Sequence, residues 1–133
     1  MLKSYDPTEV HAPLGSYTHA VEVGPHTRLL TLSGQVGIRP DGTLPSEIEG
    51  QLRQTWANIT AILRAAGMTL SDIFKITTIV VRPEHLLVHP RIRSEILGRH
   101  RAAATGFCVS ALATSDILCE IEVTAAVSAE GLR

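Results

Sequence analysis

The chain has only two cysteines, one tryptophan, two tyrosines and two phenylalanines among 133 residues, and its charges nearly cancel. Each scarcity excludes something. Cys108 and Cys119 fall inside strand-like runs without metal-ligand spacing, so a reduced protein free of metal is expected. A net charge of −1 lacks the basic face that non-specific nucleic-acid binding uses. No apolar run approaches membrane-spanning length, and Met1-Leu2-Lys3-Ser4-Tyr5-Asp6-Pro7 lacks the apolar core of a signal peptide. The expectation is a cytoplasmic protein with no membrane partner and no cofactor. Repeats, low-complexity tracts and linkers are missing too, so residues 1–133 read as one domain, long enough to bury about two thirds of its unfolded surface.

What is present is pattern. The run Ile117-Leu118-Cys119-Glu120-Ile121-Glu122-Val123-Thr124 alternates, placing Glu120 and Glu122 on one face of a strand and apolar residues on the other. Ionised carboxylates are costly to bury unpaired, so that face either meets solvent or lines a pocket or interface. Further strands are expected at residues 17–23 and 28–36, joined as a hairpin through Gly24-Pro25-His26-Thr27, and at 74–81, 105–111 and 117–127. Residues 1–16 read as an irregular lead-in. Gly34 inside the second strand points to a bulge or to the close approach of another group.

Ile48, Leu52, Trp56, Ile59 and Leu63 recur at spacings of three and four and predict a helix over 46–66. Ser46-Glu47-Ile48-Glu49 has the form of a capping box, and Gly67 is placed to close the helix. A second helix is expected to begin at Pro90 and end at Gly98. The order is strand, strand, helix, strand, helix, strand, strand. That order predicts an α+β fold, a mixed sheet with both helices on one face. Two helices leave the other face uncovered, and copies of the same chain are the simplest cover.

The stretches Ala12-Pro13-Leu14-Gly15-Ser16-Tyr17-Thr18-His19-Ala20, Ser33-Gly34-Gln35, Ala65-Ala66-Gly67 and Leu112 to Glu122 together resemble the Rid family. These are the reactive intermediate deaminases of YjgF type, formerly labelled endoribonuclease L-PSP. The resemblance implies a chorismate-mutase-like fold, a homotrimer, and clefts between subunits that hold small carbonyl, enamine or imine compounds. It implies that Glu120 positions or activates a hydrolytic water, and that Tyr17 and Ser33 line the pocket.

Deaminating relatives also carry an arginine near the start of the penultimate strand that grips the substrate carboxylate. Counting back from Leu112 places Ala104 there, so the chain reads as a member lacking that cation. Ala104, Gly106 and Cys108 alternate, which predicts a wider and less polar cleft facing Glu120, while Gly34 and Gly106 offer backbone N–H groups to a ligand. Cys108 falls on the cleft face, where nothing nearby in sequence activates it as a nucleophile. His19 should make a structural hydrogen bond, and His85, His89 and His100 read as surface residues. Arg82, Arg91, Arg93, Arg99 and Arg101 form a basic stretch without stacking aromatics, read as a solvated helical face. Two functions stay open. One is hydrolysis of an imine-like C–N bond with Glu120 assisting water, on substrates other than the standard 2-imino acids. The other is a non-catalytic, metabolite-binding homotrimer.

Overall fold

In the computed structural model, which describes residues 1–129, the strands are β1 (Leu2–Tyr5), β2 (Ala20–Val23), β3 (Thr27–Thr31), β4 (Ile73–Val80), β5 (Ala103–Cys108) and β6 (Cys119–Ser128). The helices are α1 (Ile48–Ala65) and α2 (His85–Leu97). The main sheet runs β3-β6-β4-β5, with β4 and β5 parallel and the other pairs antiparallel. This is the mixed sheet expected of the α+β reading.

The stripe on α1 explains its place. Leu52, Trp56, Ile59 and Leu63 are all buried, and they pack in one core with Ile92 and Leu97 of α2 and with Ile76, Val80, Ile121 and Val123 of the sheet. Both helices therefore cover the same face. Gly67, at φ +72°, turns the chain out of α1, and the Met68 N–H donates back to the Leu63 carbonyl at 2.9 Å. The start of α1 differs from expectation. Its N-cap is Glu47, with no side-chain capping bond, so the box beginning at Ser46 does not form. The approach to the helix is held instead by buried Gln51, whose Nε2 donates to the carbonyls of Pro45 (2.9 Å) and Asp116 (2.8 Å). Its Oε1 accepts from the Leu118 N–H at 2.8 Å. One side chain thus ties two loops to the helix.

Three other expectations change. The 17–23/28–36 hairpin is absent: β2 pairs antiparallel with β1, inside the stretch read as irregular, and β3 pairs with β6. Pairing with the long β6 sets Leu30 against the core, which a local hairpin would not do. Helix α2 begins at His85, so Pro90 lies inside it rather than at its first turn. The extra turn buries His85 and His89, and that packing offsets a proline that cannot bond the Leu86 carbonyl. Finally, β5 ends at Cys108 and β6 begins at Cys119, so the closing strands are shorter than read.

The register fixes the two faces of the sheet. Thr77 lies between Glu122 and Thr105, and Ile79 lies between Glu120 and Phe107. Lys75, Thr77, Ile79, Thr105, Phe107, Glu120 and Glu122 therefore share the face away from the helices. Leu29 and Phe107, 64% and 42% exposed, are large apolar side chains left uncovered within the chain.

Candidate functional site

Glu120 sits near the start of β6, and its setting follows from an irregularity beside that strand. The Leu32 N–H donates to the Val123 carbonyl at 3.1 Å, and Gln35 exchanges both backbone bonds with Ile121 at 2.7 and 2.9 Å. Three steps along one strand thus match two along the other, which is a one-residue bulge containing Ser33 and Gly34. The bulge pushes the Gly34 backbone under the Glu120 side chain. A β-carbon at position 34 would lie 2.7 Å from Glu120 Cδ and 2.9 Å from Cγ, so only glycine at 34 lets the Glu120 side chain lie where it does. Both structural meanings read from Gly34, a bulge and a close approach, are present.

Among the described residues, the Glu120 carboxylate has no hydrogen-bond or ion-pair partner. It is half-buried beside exposed Ser33, so it is free to accept from a water or a ligand. Among the described residues, the strand cation of this face is Lys75, whose Nζ donates to Thr105 Oγ1 at 2.9 Å. A shallow hollow of 70 Å³ lies next to it, lined by Thr31, Lys75, Thr77, Glu122 and Thr124.

The β5 residues fall otherwise than expected. Ala104, Gly106 and Cys108 do not share a face with Glu120: they pair with Ile76, Thr78 and Val80, whose side chains point to the helices. A β-carbon on Gly106 would sit 3.1 Å from Leu86 Cδ2 of α2. Alternation was read correctly, but the parallel register with β4 puts the small residues behind the sheet. They do not widen a cleft in front of Glu120. The β5 positions on the Glu120 face are Ala103, Thr105 and Phe107, and none is cationic. Cys108 is exposed at the strand end.

Tyr17, Ala104 and Gly106 meet elsewhere, around a cavity of 420 Å³ between α2, β5 and the 14–17 segment. The Tyr17 hydroxyl accepts from the Leu14 N–H at 3.1 Å. His19 packs edge-on to Tyr17, and its Nε2 bonds the His11 carbonyl oxygen at 2.7 Å, the structural role expected of it. Predicted site residues are thus split: Glu120, Ser33 and Gly34 in front of the sheet, Tyr17, Ala104 and Gly106 behind it.

The cavity also contains residues read as surface. His89 is 2% exposed and Arg93 is 7% exposed. Residues 85, 89, 92 and 93 turn inward once the helix starts at 85, and that earlier start is what the sequence reading missed. His89 Nε2 accepts from the indole N–H of Trp56 at 3.1 Å, while its Nδ1 lies 3.0 Å from Thr78 Oγ1. An indole N–H only donates, so the imidazole is neutral with its proton on Nδ1. Burial first, and the Arg93 charge second, push the His89 pKa down to about 3. Of the basic stretch, Arg91 conforms to expectation, exposed and paired with Glu49 (3.3 Å) and Glu95 (3.2 Å). Among the described residues, no group of three His, Cys, Asp or Glu side chains is arranged to hold a metal, and no helix is long and apolar enough to cross a membrane.

Comparison with known proteins covers nearly the whole chain. Residues 8–127 match the family described as Endoribonuclease L-PSP. A RutC family protein of Pyrococcus horikoshii is 33% identical over 115 residues, covering 85% of this chain and 88% of that one. A 2-iminobutanoate/2-iminopropanoate deaminase of Escherichia coli is 33% identical over 81 residues, covering 60% and 61%. The crystal structure of the Rid-family protein YyfB of Yersinia pestis superposes with a TM-score of 0.85 at 31% identity, covering 95% of this chain and 98% of the other.

Proposed function

We propose, because the chain belongs to the Endoribonuclease L-PSP family of Rid and RutC proteins, that it processes small reactive metabolites by hydrolysing an imine-like C=N bond with Glu120 assisting the water. The observation that carries this reading is the Glu120 carboxylate, laid over the Gly34 bulge with no partner of its own among the described residues. Such a carboxylate accepts a proton from water as the oxygen bonds to the C=N carbon and passes it to the nitrogen, which gives a carbinolamine. Its C–N bond then breaks as the hydroxyl proton is carried to the departing nitrogen, giving a carbonyl compound and ammonia. The likeness to an E. coli 2-iminobutanoate/2-iminopropanoate deaminase supports this chemistry.

The substrate is narrower to define by what the face lacks. Among the described residues, the β5 side of this face offers Ala103, Thr105 and Phe107, so no guanidinium of that strand stands ready to grip an α-carboxylate. Turnover of 2-iminopropionate should therefore be slow. Loss of one desolvated charge-assisted contact typically costs about 2–5 kcal/mol, on the order of 30-fold to several thousand-fold in rate. A substrate with an uncharged group at that place fits better. A homotrimer completes the reading, with neighbouring copies covering Leu29 and Phe107 and walling the space before Glu120.

That missing guanidinium also favours a second reading, in which the cleft binds a metabolite without turnover. Glu120→Gln separates the two. In a hydrolase it lowers turnover of in situ generated imines by about 10²–10⁴-fold while fold and assembly stay intact. In a binding protein there is no turnover to lose, and only affinity changes.

A further inference from the structure

The front of the sheet is sorted into rows that run across the strands. One row reads Glu122, Thr77 and Thr105, and the next reads Glu120, Ile79 and Phe107. The first is polar throughout. Lys75 adds to it, with Nζ donating to Thr105 Oγ1 at 2.9 Å. The second joins a carboxylate to an aliphatic and an aromatic side chain. Ile79 is half-buried, and Phe107 is 42% exposed within the chain. Phe107 stands two strand spacings from Glu120, roughly 10 Å, with Ile79 on the strand between.

That second row selects against negative charge. Glu120 and Glu122 set two carboxylates on this face against one strand ammonium among the described residues, and that ammonium is turned to Thr105 in the polar row. An anionic group lying over Ile79 would lose hydration and gain no partner. A planar apolar group there gives up nothing. It covers Ile79 and meets the Phe107 ring, which favours an aromatic neighbour in an edge-to-face or offset arrangement. Apolar surface converging on one polar group that has no partner is the composition of a ligand site. Leu29 differs in this respect, because it pairs with Ala126 toward the other end of β6, away from Glu120.

We propose that the substrate class is a neutral aryl imine, its C=N carbon at Glu120 and its ring over Ile79 against Phe107, so that Ile79 and Phe107 determine specificity. The inference rests on the hydrolytic reading of Glu120 and supplies the substrate which that reading leaves open. The step balances as a hydrolysis. An aryl aldimine and one water give an aryl aldehyde and ammonia, with no oxidant or reductant consumed. Where copies of the chain wall the space before Glu120, they shield the ring from bulk water and strengthen the preference for an apolar guest.

Binding and turnover are read separately. Benzamide serves as a neutral aryl probe, with acetamide and benzoate as the other arms. Benzamide should shift the backbone amide resonances of Gly34, Ile79 and Phe107 saturably, and the other two should bind more weakly by about tenfold or more. Phe107→Ala should weaken benzamide binding by about tenfold. For turnover, benzaldimine is generated in situ by oxidation of benzylamine, and release of benzaldehyde is followed above the spontaneous rate. Its kcat/KM should exceed that of 2-iminopropionate by about tenfold or more; Phe107→Ala should lower it through KM, and Glu120→Gln through kcat. The proposal is overturned by the absence of a saturable benzamide response, by equal binding of benzoate, by a response that survives Phe107→Ala, or by a higher kcat/KM for 2-iminopropionate. That last result leaves the hydrolytic reading standing. Benzamide binding that depends on Phe107, with no imine turned over, upholds the aryl site and removes the hydrolytic reading instead. Should Phe107→Ala change the mass of the assembly, Ile79→Thr decides in its place: a weakened benzamide response supports the proposal, and an unchanged one overturns it.

Discussion

The side chain of Glu120 rests on the α-carbon of Gly34, with its Cγ and Cδ 2.9 and 2.7 Å from where a β-carbon would be. This couples a backbone bulge to the placement of the one carboxylate proposed to act on water. Because the obstructing atoms belong to the end of a flexible side chain, a larger residue at 34 displaces Glu120 rather than the sheet.

Gly34→Ala should therefore behave like Glu120→Gln, with turnover down by about 10²-fold or more and the melting temperature changed by no more than about 4 °C. Gly37→Ala supplies the contrast. Its added carbon would meet the backbone of α1, 2.6 Å from the Gln51 carbonyl oxygen, which cannot yield. Loss of more than about 2 kcal/mol of stability is expected there. Parallel melting curves and imine assays on the two variants check both statements, and full activity in Gly34→Ala would remove Glu120 from the mechanism.

Assembly is checked by mass. Light scattering at micromolar concentration should give about three times the 14.3 kDa chain mass. A charged residue in place of exposed Leu29 or Phe107 should shift the mass toward one chain. A parent protein that already runs at the single-chain mass would rule the trimer out.

The neutral, buried His89 makes stability depend on pH in a defined window. Its folded pKa is about 3 against an ordinary 6.5, so between those values the unfolded chain takes up a proton that the folded chain refuses. Stability is flat above about pH 6.5 and falls below it by up to about 1.4 kcal/mol per pH unit, about 2 kcal/mol by pH 5. The carboxyls of Asp6, Asp41, Glu49 and Glu95 are all held below their ordinary range and lose their contribution only at lower pH. In His89→Gln the amide oxygen still accepts from Trp56 and the amide nitrogen still donates to Thr78. Denaturation series at pH 7, 6 and 5 should show the slope in the parent protein and a flat line in the variant.

The two thiols should separate cleanly. Cys119 is buried and burial raises its pKa to about 11, so it should be inert in the native state. Cys108 is exposed. A thiol-reactive chromophore should label one cysteine per chain under native conditions, located at residue 108 by peptide mapping, and the second only after unfolding. Rapid labelling of both would place Cys119 outside the core.

The features legible in the sequence are those that local periodicity carries. The three-and-four spacing of Leu52, Trp56, Ile59 and Leu63 decided that α1 forms and which side it buries, and Gly67 and Gly98 marked the helix ends because both take positive φ. Alternation along residues 117–127 set Glu120 and Glu122 opposite Ile121 and Val123. What the tertiary structure decided was which segments meet. Alternation states that Ala104, Gly106 and Cys108 share a side of β5; only pairing with β4 determines that this side faces α2 and not Glu120. Likewise β2 and β3 each satisfy a hairpin locally, yet burial of Leu30 beside β6 outweighs that choice. Pro90 reads as a helix start, and the contacts of His89 with Trp56 and Thr78 carry the helix back to His85, which turns Arg93 inward. A period of two or of 3.6 specifies directions relative to the chain's own axis, whereas register and packing are settled by the apolar surface that distant segments bury against one another.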